Sequence, residues 1–306
     1  MSVVVIGSAN LDFSLRVPRL PRPGETVLGG DLRVSFGGKG ANQAIAAHRA
    51  GARVHFIARI GTDPHGEQQV RHLLEAGLGG AGLIRDAAEP AGVALILVDQ
   101  AGENLIALAP GSNLRLTPED VAAQAAAFAG ARVLLAQLEV PLEAVEVGLA
   151  LARARGLTTI LNPAPARPLA DEVLRQVDVL TPNESEAALL SGRPVTDPAS
   201  AATAGRALCA RGCRRVVVTL GARGAVWCEG DAVASIAPFP VAAVDATAAG
   251  DAFAGALAAA LGQGRPLDRA LRFASAAGAL AATRRGAQES LPSREEIEDL
   301  LAVRAD

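Results

Sequence analysis

Three clusters in the sequence combine residue types that can do chemistry. In Val244-Asp245-Ala246-Thr247-Ala248-Ala249-Gly250-Asp251-Ala252-Phe253 a turn of small residues feeds a long apolar helix with Asp251 in its first turn. A carboxylate there can simply complement the helix dipole, a contribution of roughly 0.3–1 kcal/mol. It can also act as a base: Ala248, Ala249 and Gly250 leave backbone N–H groups uncovered beside it, the makings of an anion hole. Such a pair would remove a proton from an alcohol while the amides hold a migrating phosphoryl group. The second cluster, Phe36-Gly37-Gly38-Lys39-Gly40-Ala41-Asn42-Gln43, opens a helix with three glycines in four positions. Glycines let backbone amides approach a ligand, and a helix N-terminus favours negatively charged oxygens. A flexible helix cap, with Lys39 solvated, is the alternative. It is not a Walker A loop, because Gly40 follows Lys39 and Arg33 stands where the first glycine belongs; nor is it a dinucleotide fingerprint, because Gln43 replaces the third glycine. The third cluster is split between Asn183-Glu184-Ser185-Glu186 and Thr219-Leu220-Gly221-Ala222-Arg223-Gly224, each just past an apolar run. Polar and glycine-rich loops beyond strand ends are where open α/β sheets bind ligands. Glu186 can equally be a surface helix residue.

The elements that must position these groups are legible as alternation. Short apolar, β-branched runs at 3–7, 54–60, 132–138, 157–161, 177–181 and 214–220 read as strands. Between them, Ala/Leu-rich segments at 41–50, 66–76, 118–128, 141–155 and 199–211 read as helices, and the last third is helical at 249–261, 267–283 and 294–303. This alternation predicts a doubly wound, mostly parallel α/β sheet covered by helices on both faces. Two stretches break it: the Pro/Gly-rich 13–36, with alternating residues at 26–28 and 32–36, and a hairpin candidate at 91–109. Together they predict a small antiparallel sheet inserted as a lid, the body being 1–12, 37–90 and 110–306.

Composition narrows the function classes. With 29 basic and 32 acidic residues, the chain lacks the electrostatic footprint of a nucleic-acid binder. No run reaches the roughly 20 apolar residues that span a bilayer, so no membrane association is expected. The first basic residue is Arg16, which argues against a secretory leader and for a cytoplasmic protein. Cys209, Cys213 and Cys228 cannot build a disulfide framework; Cys209 and Cys213 are expected on one helix as small core residues. The histidines at 48, 55, 65 and 72 are expected in surface or structural positions, without a catalytic role.

Through Gly7-Ser8-Ala9-Asn10-x-Asp12, Pro23-Gly24-Glu25-Thr26, Gly37-Gly38-Lys39-Gly40-Ala41-Asn42-Gln43-Ala44 and Asp245-Ala246-Thr247-Ala248-Ala249-Gly250-Asp251, the chain resembles the ribokinase group of the phosphofructokinase-B-type sugar kinases. Gln137-Leu138-Glu139, Asn162-Pro163-Ala164-Pro165-Ala166, Thr181-Pro182-Asn183-Glu184 and Arg284-Arg285-Gly286-Ala287-Gln288 continue the resemblance in order along nearly the whole chain. It implies ATP-dependent phosphorylation of D-ribose at O5, with Asp251 as general base and the Ala248, Ala249 and Gly250 amides as anion hole. It implies sugar contacts from Asn10, Asp12, Gly38, Lys39, Gly40, Ala41, Asn42 and Glu139. For ATP and its Mg²⁺ it implies Asn183, Glu186, Thr219, Leu220, Gly221, Ala222, Arg223, Gly224, Gly250, Asp251 and Ser275. An activating monovalent cation, K⁺, would lie at Asp245, Thr247, Ala281, Arg284, Gly286 and Ser290, mostly on main-chain carbonyls. Two departures stand out: Ala246 replaces a common Thr, and Ser275 stands where some members place His against adenine. The resemblance and the exposed edges of an inserted sheet together imply a homodimer through the lid. Rival readings are a kinase acting on deoxyribose, another sugar or a nucleoside, and a binding regulator without catalysis.

Overall fold

The computed structural model describes residues 2–303. Its strands are β1 (Ser2–Ile6), β2 (Asn10–Arg16), β3 (Leu32–Gly37), β4 (Arg53–Gly61), β5 (Leu83–Asp86), β6 (Gly92–Val98), β7 (Asn104–Ala109), β8 (Ala131–Ala136), β9 (Thr158–Leu161), β10 (Val179–Leu180), β11 (Arg215–Thr219), β12 (Ala225–Glu229) and β13 (Ala232–Ile236). Nine of them form one sheet in the order β13-β12-β11-β10-β9-β8-β1-β4-β5. Its pairings from β11 to β5 are all parallel; only β12 and β13, an edge hairpin, are joined antiparallel.

The pattern of β1 shows why this sheet is covered on both sides. Val3 and Val5 point into one apolar cluster, Val4 and Ile6 into the other, and all four are fully buried. On the first face lie helices Lys39–Arg49, Ala249–Gly262 and Leu267–Ala282; on the second lies Leu142–Ala154. The first two helices cross unusually closely. A Cβ on Gly255 would stand 2.5 Å from Ala46 Cβ and 2.6 Å from the Gln43 carbonyl oxygen, so the alanine and glycine richness of these helices is a packing requirement. The order reverses at β1: the chain moves outward to β4 and β5 on one side, then returns to β8 on the other. Ligands bind at the carboxyl ends of strands around such a switch point.

The remaining four strands form the second sheet, in the order β3-β2-β6-β7. Both hairpins are antiparallel, and they join through a parallel pairing of β2 with β6. The segment expected to alternate at 26–28 is not a strand. Pro18, Pro21 and Pro23 withhold N–H donors from the loop leading into it, and the partner of β3 is instead β2, beginning at Asn10. Other expectations shift in detail. The segment 118–128 breaks at Gln124 into Pro118–Ala123 and Ala125–Phe128. Cys213 lies beyond the end of helix Pro198–Ala210, buried in a turn, so only Cys209 is on that helix. Among the described residues no helix is long and apolar enough to cross a membrane.

Candidate active site

The loops at the ends of β1, β8, β9, β10 and β11 converge on the N-termini of helices Lys39–Arg49 and Ala249–Gly262. Helix Lys39–Arg49 begins with Gly38 in the left-handed region (φ 86°). A Cβ on Gly40 would stand 2.4 Å from the Ser8 amide nitrogen, so only glycine lets this helix start against the end of β1. Gly38 has no side chain to cap the helix, and Glu139 does so from the end of β8. Its Oε2 accepts from the Lys39 amide (2.9 Å) and from Ser8 Oγ (2.5 Å). Ala41 is part of the core, its amide donating to the Ser8 carbonyl.

Asp251 is buried at the start of helix Ala249–Gly262 and lines a polar cavity of about 200 Å³ together with Lys39, Asn183, Glu186, Thr219 and Gly250. Its Oδ2 accepts from Asn42 Nδ2 (2.9 Å) and its Oδ1 from Gln43 Nε2 (2.8 Å). Burial works against the charge on Lys39, but the carboxylates of Asp251, Glu139 and Glu186 outweigh it and hold the ammonium pKa above its ordinary value. Lys39 is therefore a cation at neutral pH. The helix reaches Asp251 through Ala248, the one non-glycine residue with positive φ (58°) among the described residues. The Ala249 amide donates to the Ala246 carbonyl at 3.2 Å, so it is already engaged in the turn. That leaves the amides of Ala248 and Gly250, two residues that line the polar cavity.

Asn183 and Glu186 form a reciprocal cap on helix Glu184–Ser191: Asn183 Oδ1 accepts from the Glu186 amide, and Glu186 Oε2 from the Asn183 amide, each at 2.9 Å. Glu186 is thus buried rather than a surface residue, and burial pushes its carboxyl upward. Beside the polar cavity lies an apolar one of about 600 Å³, lined among others by Gly221, Ala222, Gly224, Phe239 and Ser275. The two share Thr219, Ala246, Gly250 and Phe253. Leu220 is turned into the core, and Arg223 pairs outside with Glu184 and the Thr196 carbonyl, so neither lines a cavity.

At the end of β1 and in β2, burial, followed by the carboxylates of Glu139 and Glu289, pushes the Asp12 carboxyl up to about 7. Its Oδ1 is sealed from solvent without a hydrogen-bond partner. Asn10 Oδ1 accepts from Asn113 Nδ2 (2.8 Å), and Asn113 Oδ1 accepts from the Ala9 amide (3.0 Å). Sequence reading missed Asn113; its surroundings, Pro110-Gly111-Ser112-Asn113, read as an ordinary turn. Behind Asp251, Asp245 ties its loop to Gly286, whose amide donates to it at 3.0 Å. Burial opposes ionisation of Asp245, but hydrogen bonds from Thr247 and Gly286 hold its carboxyl below the usual range. Arg284 pairs with Glu296, and Ser290 Oγ donates to the Ala287 carbonyl (2.8 Å), so any cation there would meet carbonyl oxygens rather than these two side chains.

The histidines take structural places: His72 stacks on Phe36 and bonds Gln288, His65 meets Phe13 edge-on, and His55 bonds Gln124.

The family model for pfkB family carbohydrate kinases matches residues 1–294. The chain is 40% identical to the ribokinase of Haemophilus influenzae over 300 residues, covering 98% of both chains. It is 33% identical to the deoxyribokinase of Salmonella typhi, covering 99% of both. Among solved structures, that of Arabidopsis thaliana ribokinase complexed with ribose and ATP superposes with a TM-score of 0.90 at 31% identity, covering 98% of each chain.

Proposed function

The chain belongs to the pfkB family of carbohydrate kinases, and from that premise we propose that it transfers the γ-phosphoryl group of ATP to O5 of D-ribose. The observation that carries this reading is Asp251: a buried carboxylate held by two amide side chains, in one cavity with Lys39 and the open first turn of a helix. In the reaction Asp251 takes the proton from the O5 hydroxyl, O5 bonds to the γ-phosphorus, and the bond to the bridging oxygen of the departing ADP breaks. The Ala248 and Gly250 amides and the Lys39 ammonium face charge developing on the transferred group, where preorganised donors lower the barrier most. Asn10, Asp12, Gly38, Asn42 and Glu139 would hold the sugar, whose vicinal hydroxyls suit carboxylates and amides that each bridge two of them. The apolar cavity beside Thr219 and Ser275 suits the adenosine.

Mg²⁺ would supply neutralisation of phosphate charge. The oxygens of Glu186 and Asn183 beside the polar cavity suit a hard cation that keeps most of its other ligands as water and phosphate. K⁺ would sit on carbonyls of the 281–286 turn behind Asp245 and set the geometry of the Ala246–Gly250 loop without touching substrate; equal turnover in Na⁺ and K⁺ would count against it. The four-stranded sheet would close over the sugar and exclude water. Its outer face supports pairing with a second copy: Leu32, Val34, Leu95 and Leu105 are exposed on the side opposite Asp12. A second reading, with 2-deoxyribose as acceptor, is favoured by the deoxyribokinase relative.

ADP release measured with ribose, 2-deoxyribose and fructose tests the assignment. Ribose should give the highest kcat/KM, and Asp251→Asn should lower kcat by about 10²–10⁴ with a milder effect on sugar KM. Sugar binding without turnover would instead make this a regulator.

A further inference from the structure

Two glutamines singled out by the sequence motifs, Gln43 and Gln137, are fully buried and line neither cavity. They lie in a hydrogen-bonded chain whose direction is set at one end by a backbone group. The Thr181 carbonyl can only accept, so Asn162 must turn Nδ2 toward it (2.9 Å) and Oδ1 away. Gln43 must then present Nε2, which stands 2.9 Å from Asn162 Oδ1 and 2.8 Å from Asp251 Oδ1. Its Oε1 is left to accept from Gln137 Nε2 (2.6 Å). Flipping Gln43 would set an amide oxygen against both Asn162 Oδ1 and the Asp251 carboxylate, and would turn two N–H₂ groups on each other at Gln137. Only one orientation of the three amides makes all of these bonds, and it leaves Gln137 Oε1 buried without a partner.

We propose that Gln43 is a positioning residue for Asp251, its polarity imposed by the Thr181 carbonyl through Asn162 and held by Gln137. This rests on Asp251 being the base. With Asn42 on Oδ2 and Gln43 on Oδ1, rotation of the carboxylate is blocked at both oxygens while Asp251 still lines the cavity. The chain also links the base to the end of β10, two residues before Asn183 on the phosphate side. The charged groups interacting with Asp251 are Lys39 from the start of helix Lys39–Arg49 and Glu186 from helix Glu184–Ser191. Substituting Gln43 leaves both in place.

The test is Gln43→Glu in the full chain. Expected are a kcat lower by about 10²-fold with KM for ribose and ATP within about threefold, a split that loss of fold or of substrate binding would not give. In the Asp251→Asn background the same change should cost nothing further. Gln137→Met, which removes only the group holding Gln43, should lower kcat by about tenfold in the same pattern and serves if Gln43→Glu does not fold. A folded Gln43 or Gln137 variant with unchanged kcat overturns the proposal. So does a Gln43→Glu loss of equal size with and without Asp251. Near-normal turnover of Asp251→Asn alone would sink the base assignment itself, whereas a dead Asp251→Asn beside active glutamine variants sinks only the positioning role.

Discussion

Asp12 differs from Asp251 in how its charge is supported. Asp251 receives two amide donors, while Asp12 is pushed up to about 7 by burial and by its acidic neighbours Glu139 and Glu289. A carboxyl raised in the folded state holds a proton that the unfolded chain has lost, so it costs stability as pH rises from the ordinary Asp range toward 7. Sugar hydroxyls donating to Asp12 would reverse that penalty by favouring the ionised form. Ribose binding should therefore expel a proton near pH 7, and ribose KM should fall as pH rises through that value. Calorimetric titration at about pH 6 in two buffers of different ionisation heat should detect the released proton, and the signal should fade by about pH 8. Asp12→Asn should abolish the effect and weaken ribose binding. A proton count of zero at both values would remove Asp12 from the sugar contacts. At this scale the sequence is most legible where a motif names a charged side chain beside a glycine, as with Lys39 and Asp251. It is least legible for neutral amides such as Asn113, whose importance comes from a neighbour 103 residues away.

The catalytic geometry depends on one helix crossing more than on any loop. Gln43 and Asp251 meet because helices Lys39–Arg49 and Ala249–Gly262 approach within the space of a missing Cβ at Gly255. Gly255→Ala would place a methyl 2.5 Å from Ala46 Cβ and 2.6 Å from the Gln43 carbonyl, and neither can swing aside as a long side chain would. Overpacking of this kind should cost roughly 1–3 kcal/mol and lower Tm accordingly. Because the crossing carries both residues, kcat should fall while ATP affinity, which the proposed function puts at the ends of β10 and β11, stays near normal. Unchanged Tm and kcat would show that the helices can part without consequence. The long elements of this body were legible from apolar period and length alone. Some short ones were not: β5 has four residues, and β12–β13 is an edge hairpin whose strands follow a glycine-rich turn, whereas the two-residue β10 was read within the apolar run 177–181. Helix Glu184–Ser191 was obscured because its start, Asn183-Glu184-Ser185-Glu186, reads as a polar loop until the reciprocal cap is seen.

At the scale of the whole molecule the four-stranded sheet is the part whose surface the rest of the chain does not explain. Its two faces are set by strand alternation. Asp12 shares one face with Ala94 and Leu108, whereas Leu32, Leu95 and Leu105 lie with Phe13 and Leu15 on the other. Two rings of that second face are covered, Phe13 by His65 and Phe36 by His72, but the apolar side chains beside them are bare: Leu32 is 60% exposed, Val34 50% and Leu95 56%. Large apolar side chains adjacent in register on a free sheet mark a surface that another copy of the same sheet can cover, an arrangement that closes by two-fold symmetry. Val34→Glu combined with Leu95→Glu should turn a dimer into a monomer by sedimentation at micromolar concentration, with the α/β body and ATP binding intact. Because β2 carries Asn10 and Asp12, loosening the lid should raise ribose KM more than it lowers kcat. A wild-type chain that sediments as a monomer would exclude the pairing, and a dimer that survives both glutamates would place the contact on another surface.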